Sequence, residues 1–104
     1  MTTQLSQNIK SVVHSFLPQA KVLLFGSRAR GDNQLESDYD VIIITETSLH
    51  EKDKITWQGK LRKALIKSLQ APVDVLINSD EEISKKRKLP GHVVQYAMEE
   101  GIML

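Results

Sequence analysis

The sequence predicts a small domain of mixed α/β (α+β) class. We expect a mixed sheet of at least three strands with helices packed on one face. Two observations predict it. Apolar residues recur at steps of three and four in several segments, which is typical of amphipathic helices. Between these segments lie short runs rich in β-branched residues, which are typical of buried strands. Strands that alternate with helices favour a layered architecture, and the pattern leaves the strand order open.

Length and composition restrict the class of protein. The chain has 104 residues, so we expect residues 1–104 to form a single domain. It has 14 Lys and Arg against 13 Asp and Glu, and this balance argues against a direct nucleic-acid binder with a dominant basic face. The absence of cysteine excludes disulfides and Cys-ligated zinc. With no secretory signal and no apolar stretch long enough to span a bilayer, we expect a cytoplasmic protein without membrane contact.

The first half of the chain predicts two helical segments and two strands. A helix that ends before Pro18 presents one apolar face, made of Leu5, Ile9, Val12, Val13 and Phe16. Residues 22–25 form a short apolar run that reads as a buried strand closed by Gly26. Ser27 then begins a helical turn followed by a polar loop. Residues 40–45 contain the strongest β-branched run of the chain and predict a second strand.

The second half predicts three helices and a third strand. Ser48 and Glu51 have the spacing of a capping box, and the helix behind them should reach about residue 70. Residues 73–77 predict a strand, and Ser79 with Glu82 forms a second capping box before a short helix. A last helix should end at Gly101 as its C-terminal cap. The inward residues expected of the long helix are Ile55, Leu61, Leu65 and Leu69.

Three carboxylates occupy positions at which they are not expected to stabilise the fold. Asp38 and Asp40 are two residues apart at the start of a strand, so their side chains should point to the same side. Their repulsion would be about 3–4 kcal/mol at an effective dielectric of about 20. Such a pair needs a cation, a shared proton or full solvation. Asp74 lies within an apolar strand, where a lone buried carboxylate is costly.

The three acids form a hard-cation site if the strands that carry Asp40 and Asp74 are neighbours. Carboxylate oxygens are the ligands that Mg²⁺ and Mn²⁺ prefer. The alternative is that Asp38 and Asp40 begin a strand from a turn and lie in water, while Asp74 faces the surface. The residues alone leave both interpretations open.

A glycine–serine turn follows the first predicted strand. Gly26 allows a sharp turn and a close approach to a ligand, and Ser27 opens a helical turn whose free N–H groups favour an anion. Arg28 and Arg30 can supply positive charge to a triphosphate. The glycine and lysine spacings of a P-loop and of a dinucleotide fingerprint are missing. The turn therefore predicts a phosphate site of another kind.

The spacing of the two motifs resembles a known superfamily. Ten residues separate Gly26-Ser27 from Asp38, and Asp38-x-Asp40 is followed by a later acid on a strand. This pattern resembles the polymerase-β-like nucleotidyltransferases, and Gly-Ser-Arg-Ala-Arg-Gly with Ser-Asp-Tyr-Asp is most similar to the minimal, or MNT-type, members. The resemblance extends from the first helix to Asp74. It implies the nucleotidyltransferase fold and transfer of a nucleoside monophosphate, by default AMP from ATP, to an acceptor hydroxyl.

The resemblance also implies roles for single residues. Asp38 and Asp40 would hold two Mg²⁺ ions, for which Mn²⁺ could substitute, and Asp74 would complete the second site and help to activate the acceptor hydroxyl. Gly26-Ser27 would bind the β- and γ-phosphates of ATP, and Arg30 would assist with its charge. These roles agree with the general needs of phosphoryl transfer, which are positioning and charge neutralisation.

The partner is implied by the family and by the length of the chain. Larger relatives carry an extra domain that binds the acceptor, and this chain ends soon after the core. Family members of this size often pair with a HEPN-domain toxin, which the nucleotidyltransferase antitoxin can adenylylate. A homo-oligomer is a further option, since the last helix carries apolar residues on more than one face. Two alternatives stay open: an antitoxin that neutralises its partner by binding alone, and a sensor that binds nucleotide without transfer.

Overall fold

A four-stranded mixed sheet organises the computed structural model, which describes residues 3–32 and 37–104. The strand order is β3-β2-β1-β4. Strand β1 pairs antiparallel with β2 and with β4, and β2 pairs parallel with β3. The strands are β1 (Lys21–Phe25), β2 (Tyr39–Thr45), β3 (Val73–Ser79) and β4 (Ile102–Met103), and the helices are α1 (Thr3–Phe16), α2 (Ser27–Arg30), α3 (Glu51–Leu69), α4 (Asp80–Lys86) and α5 (Val93–Glu100).

Helices cover both faces of the sheet. The long helices α1 and α3 pack on one face, where Ile9, Leu61 and Leu65 meet alternate residues of the strands. The shorter α4 and α5 cover part of the other face, where Ile83 and Val94 join a second buried cluster. The predicted α+β class is confirmed, but its placement of helices on one face is wrong.

The reason lies in strand β2. Its residues Val41, Ile42, Ile43 and Ile44 are all buried. Because successive side chains of a strand point to opposite faces, a strand that is apolar at every position must be covered on both. The second layer was therefore readable in the sequence as this continuous run.

The two predicted capping boxes have different outcomes. At α4 the Ser79 hydroxyl accepts the Glu82 N–H at 3.1 Å, and a Glu82 carboxylate oxygen accepts the Ser79 N–H at 2.9 Å, so this box is confirmed. At α3 the N-cap is His50, and the Ser48 hydroxyl lies 2.9 Å from the Ser79 hydroxyl instead. The prediction of a capping box at Ser48 is therefore wrong, because the Ser48 hydroxyl forms a tertiary hydrogen bond with Ser79.

One further expectation is wrong: Ile55, expected to face inward, is 67% exposed. Gly101 is the C-cap of α5, as predicted, and its N–H donates to the Ala97 carbonyl. Its φ of −76° is not left-handed, and the chain continues from it into β4. This strand of two residues was not predicted. Among the residues that the structure describes, no helix is long and apolar enough to cross a membrane.

Candidate active site

The acids of β2 and β3 lie at one uncovered corner of the sheet. Because β2 and β3 are parallel neighbours, Asp40 lies directly opposite Asp74, and on its other side Asp40 lies opposite Phe25 of β1. The next residues on this face, Ile42 among them, pack beneath α5. The row with the carboxylates lies beyond this cover. It borders a cavity of about 340 Å³.

Asp40 experiences the charge of both other acids. Its carboxyl is half buried, and this burial raises the pKa of Asp40, as do the negative charges of Asp74 and Asp38. The positive charge of Arg30 acts in the opposite direction. Asp38 is exposed immediately before β2, and Asp74 is exposed on the edge strand β3. The structure thus brings Asp40 beside Asp74 and within electrostatic range of Asp38.

The donor set fits a hard divalent cation. Within residues 3–32 and 37–104, no three acidic or imidazole side chains already form a cluster that would hold a metal ion. However, Asp40 is fixed within the sheet beside Asp74. Burial is the largest cause of its raised pKa, and the negative charges of Asp74 and Asp38 add to it. A cation would relieve that repulsion. Oxygen ligands of this kind suit Mg²⁺ and Mn²⁺. The metal roles of Asp38, Asp40 and Asp74 stay predictions.

The glycine–serine turn lies against one of the acids, Asp40. Gly26 has φ 77° and ψ −159°, a region that is essentially open to glycine alone. A Cβ atom at this position would collide with the Asp40 Oδ2 atom and lie 3.3 Å from its Cγ. The carbonyl of Gly26 accepts the N–H groups of Ala29 and Arg30, at 3.1 and 3.0 Å, which starts α2. Ser27, the first residue of α2, directly follows the glycine that lies against Asp40.

The two arginines of the motif have different environments. Arg30 is exposed; its Nε lies 3.2 Å from an Asp32 oxygen and its Nη1 lies 3.3 Å from a Glu100 oxygen. The hydrogen bond and the charge of Asp32, with those of Glu100, raise the pKa of Arg30. Arg28 points toward Ser37, and its Nε and Nη2 donate to the Ser37 carbonyl at 3.2 and 2.9 Å. Of the two, Arg30 is the one whose charge reaches Asp40.

Sequence reasoning missed several residues of this corner. Phe25, Arg62 and Val93 line the same cavity as Asp40 and Asp74. Arg62 reaches it from α3, and its Nε donates to the Val73 carbonyl at 3.2 Å. Phe25 had a readable signal, since it directly precedes Gly26 on the strand. Arg62 and Val93 had none, because their position depends on how α3 and α5 pack.

Comparison with a family model identifies the domain. A model described as a nucleotidyltransferase domain matches residues 6–104, which is nearly the whole chain. None of the curated proteins matches this sequence.

Solved structures of the same fold agree with this match. A toxin–antitoxin complex with AMP-PNP has a TM-score of 0.70 at 19% identity, over 93% of this chain and 69% of that chain. A mutant of the MntA–HpeT toxin–antitoxin pair has a TM-score of 0.69 at 20% identity, over 95% and 70%. A minimal nucleotidyltransferase has a TM-score of 0.65 at 23% identity, over 97% and 93%. At these identities the likeness establishes the fold, which is the one that the motif spacing implied.

Proposed function

Because this chain belongs to the nucleotidyltransferase domain family, we propose that it transfers AMP from Mg²⁺-bound ATP to a hydroxyl group of a partner protein. One observation carries the proposal. The parallel pairing of β2 with β3 sets Asp40 opposite Asp74, and the Gly26 backbone lies against the Asp40 carboxylate so closely that no Cβ would fit. A carboxylate pair and the glycine–serine turn thus share one corner.

The protein residues position the reactants. Asp38, Asp40 and Asp74 would hold two divalent cations, which supply charge neutralisation for the triphosphate and for the attacking and leaving oxygens. The backbone N–H groups and hydroxyl at Gly26-Ser27 bind the β- and γ-phosphates. Arg30 adds a guanidinium, whose present partners are exposed carboxylates. Exposed pairs of this kind contribute little, so phosphate oxygens can replace them.

The transfer step balances without a further reactant. The acceptor oxygen forms a bond to the α-phosphorus, and the bond from this phosphorus to the bridging oxygen of pyrophosphate breaks. Asp74 takes the proton of the acceptor hydroxyl, for which its exposed position on the edge strand β3 gives access. Pyrophosphate leaves with the electron pair of the broken bond.

The partner in this proposal is a toxin with a HEPN domain. Two of the structures that share the fold are described as toxin–antitoxin pairs, one of them with AMP-PNP bound. We therefore assign this chain the antitoxin role, in which its product is an adenylylated and inactive toxin. The ATP analogue in the related complex supports ATP as the donor.

The test is a transfer assay with α-labelled ATP, Mg²⁺ and the co-purified toxin. The substitutions Asp38→Asn and Asp40→Asn should each lower labelling of the toxin by about 100-fold or more, because each removes a carboxylate that would hold the cations, and these cations neutralise the charge of the transition state. Asp53→Asn is the matched control, since Asp53 is an exposed acid in the first turn of α3. Labelling that persists in both site variants would refute the metal assignment.

The same variants decide between transfer and binding alone. Each variant is co-expressed with the toxin, and both complex formation and cell growth are measured. Under the proposed function, the Asp40→Asn protein still forms the complex but protects cells less well than wild type. Equal protection by wild type and variant, with no labelled toxin in either case, would establish the binding-only antitoxin.

A further inference from the structure

We infer that Arg28 is a positioning residue: it joins the glycine–serine turn to the backbone beside Asp38 and so sets the two halves of the active site against each other. The inference rests on the proposed function, since it concerns the metal ligand Asp38. It assigns Arg28 a role different from the triphosphate contact that the sequence suggested.

The Arg28 side chain reaches from α2 to Ser37. Arg28 lies in α2, directly after the turn, and its Nε and Nη2 both donate to the carbonyl of Ser37, at 3.2 and 2.9 Å. Ser37 immediately precedes Asp38 in the chain. One side chain therefore connects residues nine positions apart and links the glycine–serine turn to the peptide group that precedes Asp38.

An aromatic ring holds the guanidinium in this orientation. The Arg28 Cζ lies 4.2 Å from the centroid of the Tyr39 ring, which is within the range of a cation–π contact. Tyr39 is only 7% exposed and belongs to the larger buried cluster. Its ring cannot follow a displaced arginine without disturbing the core, so the platform beneath Arg28 is rigid.

Asp38 itself lies outside the strand that holds Asp40. Strand β2 begins at Tyr39, whose N–H donates to the Pro72 carbonyl at 2.9 Å. Asp38 is exposed and precedes the strand ladder. Its peptide is thus fixed on the C-terminal side by the bond to Pro72 and on the N-terminal side by Arg28. Removal of the Arg28 contact takes away the restraint that this side chain supplies to the peptide group before Asp38.

Arginine suits this role better than lysine. Its planar fork can donate two bonds to one carbonyl while its face stacks on a ring, whereas a lysine ammonium is a mobile point charge. Arg28→Lys therefore keeps the positive charge and removes the geometry. A triphosphate contact would survive that change in part, but a positioning contact would not.

The experiment measures the metal and the backbone separately. Mn²⁺ alone is titrated into wild type, Arg28→Lys, Arg28→Ala and the control Arg87→Lys, with free Mn²⁺ followed by electron paramagnetic resonance. Arg87 is an exposed residue at the end of α4. Loss of a group that orients a metal ligand typically lowers affinity by about 10–100-fold, and we expect this for both Arg28 variants. In the transfer assay, kcat should fall while the KM for ATP stays within about twofold.

The second measurement is hydrogen exchange of the Tyr39 amide in metal-free protein, which should be several-fold faster in Arg28→Lys than in wild type. Wild-type Mn²⁺ affinity and wild-type exchange in Arg28→Lys would overturn the inference, as would a raised KM for ATP with unchanged kcat. If wild type neither binds Mn²⁺ nor transfers AMP, the proposed function fails. The exchange rate then still decides whether Arg28 holds the start of β2. If Arg28→Ala does not fold, Arg28→Lys carries the test.

Discussion

At the scale of single residues, Gly26 is the position where backbone geometry and chemistry coincide. Its φ of 77° and ψ of −159° are open to glycine almost alone, and its missing side chain leaves room for the Asp40 carboxylate. We expect Gly26→Ala to lower the free energy of unfolding by about 1–3 kcal/mol and to abolish transfer, since Asp40 would have to move. Chemical denaturation and the transfer assay measure the two effects.

Gly59 provides the matched control. It lies within α3, where a Cβ would meet no atom within 4 Å. Gly59→Ala should therefore raise stability by about 0.5–1 kcal/mol, because alanine is the better helix former, and should leave transfer unchanged. Equal effects of the two substitutions would show that the close approach of Gly26 to Asp40 has no role.

Asp40 gives a pH-dependent prediction. Burial, and then the charges of Asp74 and Asp38, raise its pKa above the ordinary value of 3.8. The folded state therefore binds this proton more tightly than the unfolded chain, and the stability that protonation provides is lost as the pH rises through the raised pKa. In metal-free buffer, Asp40→Asn should be more stable than wild type at pH 7. The difference in unfolding free energy should close as the pH falls below 3.8. If wild type were more stable than Asp40→Asn at pH 7 without metal, the Asp40 carboxylate would not be destabilised by its burial and by the charges of Asp74 and Asp38.

At the scale of elements, Glu82 connects α4 to α3 and to the end of β3. Its carboxylate accepts the Lys54 ammonium at 2.6 Å and the Ser79 N–H at 2.9 Å. Burial alone would raise the pKa of Glu82, but the Lys54 hydrogen bond, the Ser79 N–H and the charges of Lys54 and Lys86 hold it below the ordinary 4.5. Lys54 is only 8% exposed, so it depends on this partner.

Glu82→Gln should lower the free energy of unfolding at pH 7 by about 1–3 kcal/mol, because a glutamine can still cap α4 but leaves Lys54 without a charged partner. Since the pKa of Glu82 is lowered on folding, its contribution is present above pH 4.5 and is lost as the pH falls through the lowered value. The two proteins should therefore converge in acid. Denaturant unfolding at several pH values measures this.

Glu81→Gln is the control for that prediction. Glu81 pairs with Lys85 at 3.1 Å, with side chains that are 73% and 76% exposed. Such a pair is worth about 0.5 kcal/mol or less. A loss at Glu81 as large as the loss at Glu82 would mean that the network of Glu82 is not what stabilises α4.

The elements also show how far local patterns extend. Strands β1, β2 and β3 could be predicted from short apolar or β-branched runs, because such a run is a local pattern. Ser79 could be predicted as an N-cap because its partner, Glu82, is three residues away. Ser48 has the same spacing as Ser79, yet its hydroxyl lies against Ser79, 31 positions away. Strand β4 consists of two residues that are both exposed and that pair with β1. Nothing local distinguishes such a segment from a coil.

At the scale of the whole molecule, the sequence predicted the parts of the site and the fold assembled them. The glycine–serine turn and Asp38-x-Asp40 are local motifs. Asp74 joins them only because β2 and β3 pair in parallel, in the register that sets it opposite Asp40. The different environments of Arg28 and Arg30 could not be predicted. Arg28 stacks on Tyr39 and Arg30 pairs with Glu100, and neither contact follows from a local sequence pattern.

Metal binding should also stabilise the molecule as a whole. A cation that binds the folded state alone adds about 2.7 kcal/mol to the free energy of unfolding at a concentration of about 100 times its Kd. We expect Mn²⁺ to raise the Tm of wild type and to leave that of Asp40→Asn nearly unchanged. Ca²⁺ and Mg²⁺ titrations by the same method would rank the ions. An equal rise in both proteins would indicate binding elsewhere.

Whether the three acids bind the cations beside the triphosphate can be seen by anomalous diffraction of Mn²⁺ in crystals of this protein grown with a non-hydrolysable ATP analogue. We predict anomalous peaks between Asp38, Asp40 and Asp74, with the polyphosphate against Gly26-Ser27. A nucleotide bound elsewhere, or no Mn²⁺ at the three acids when the analogue is present, would refute the proposed active site.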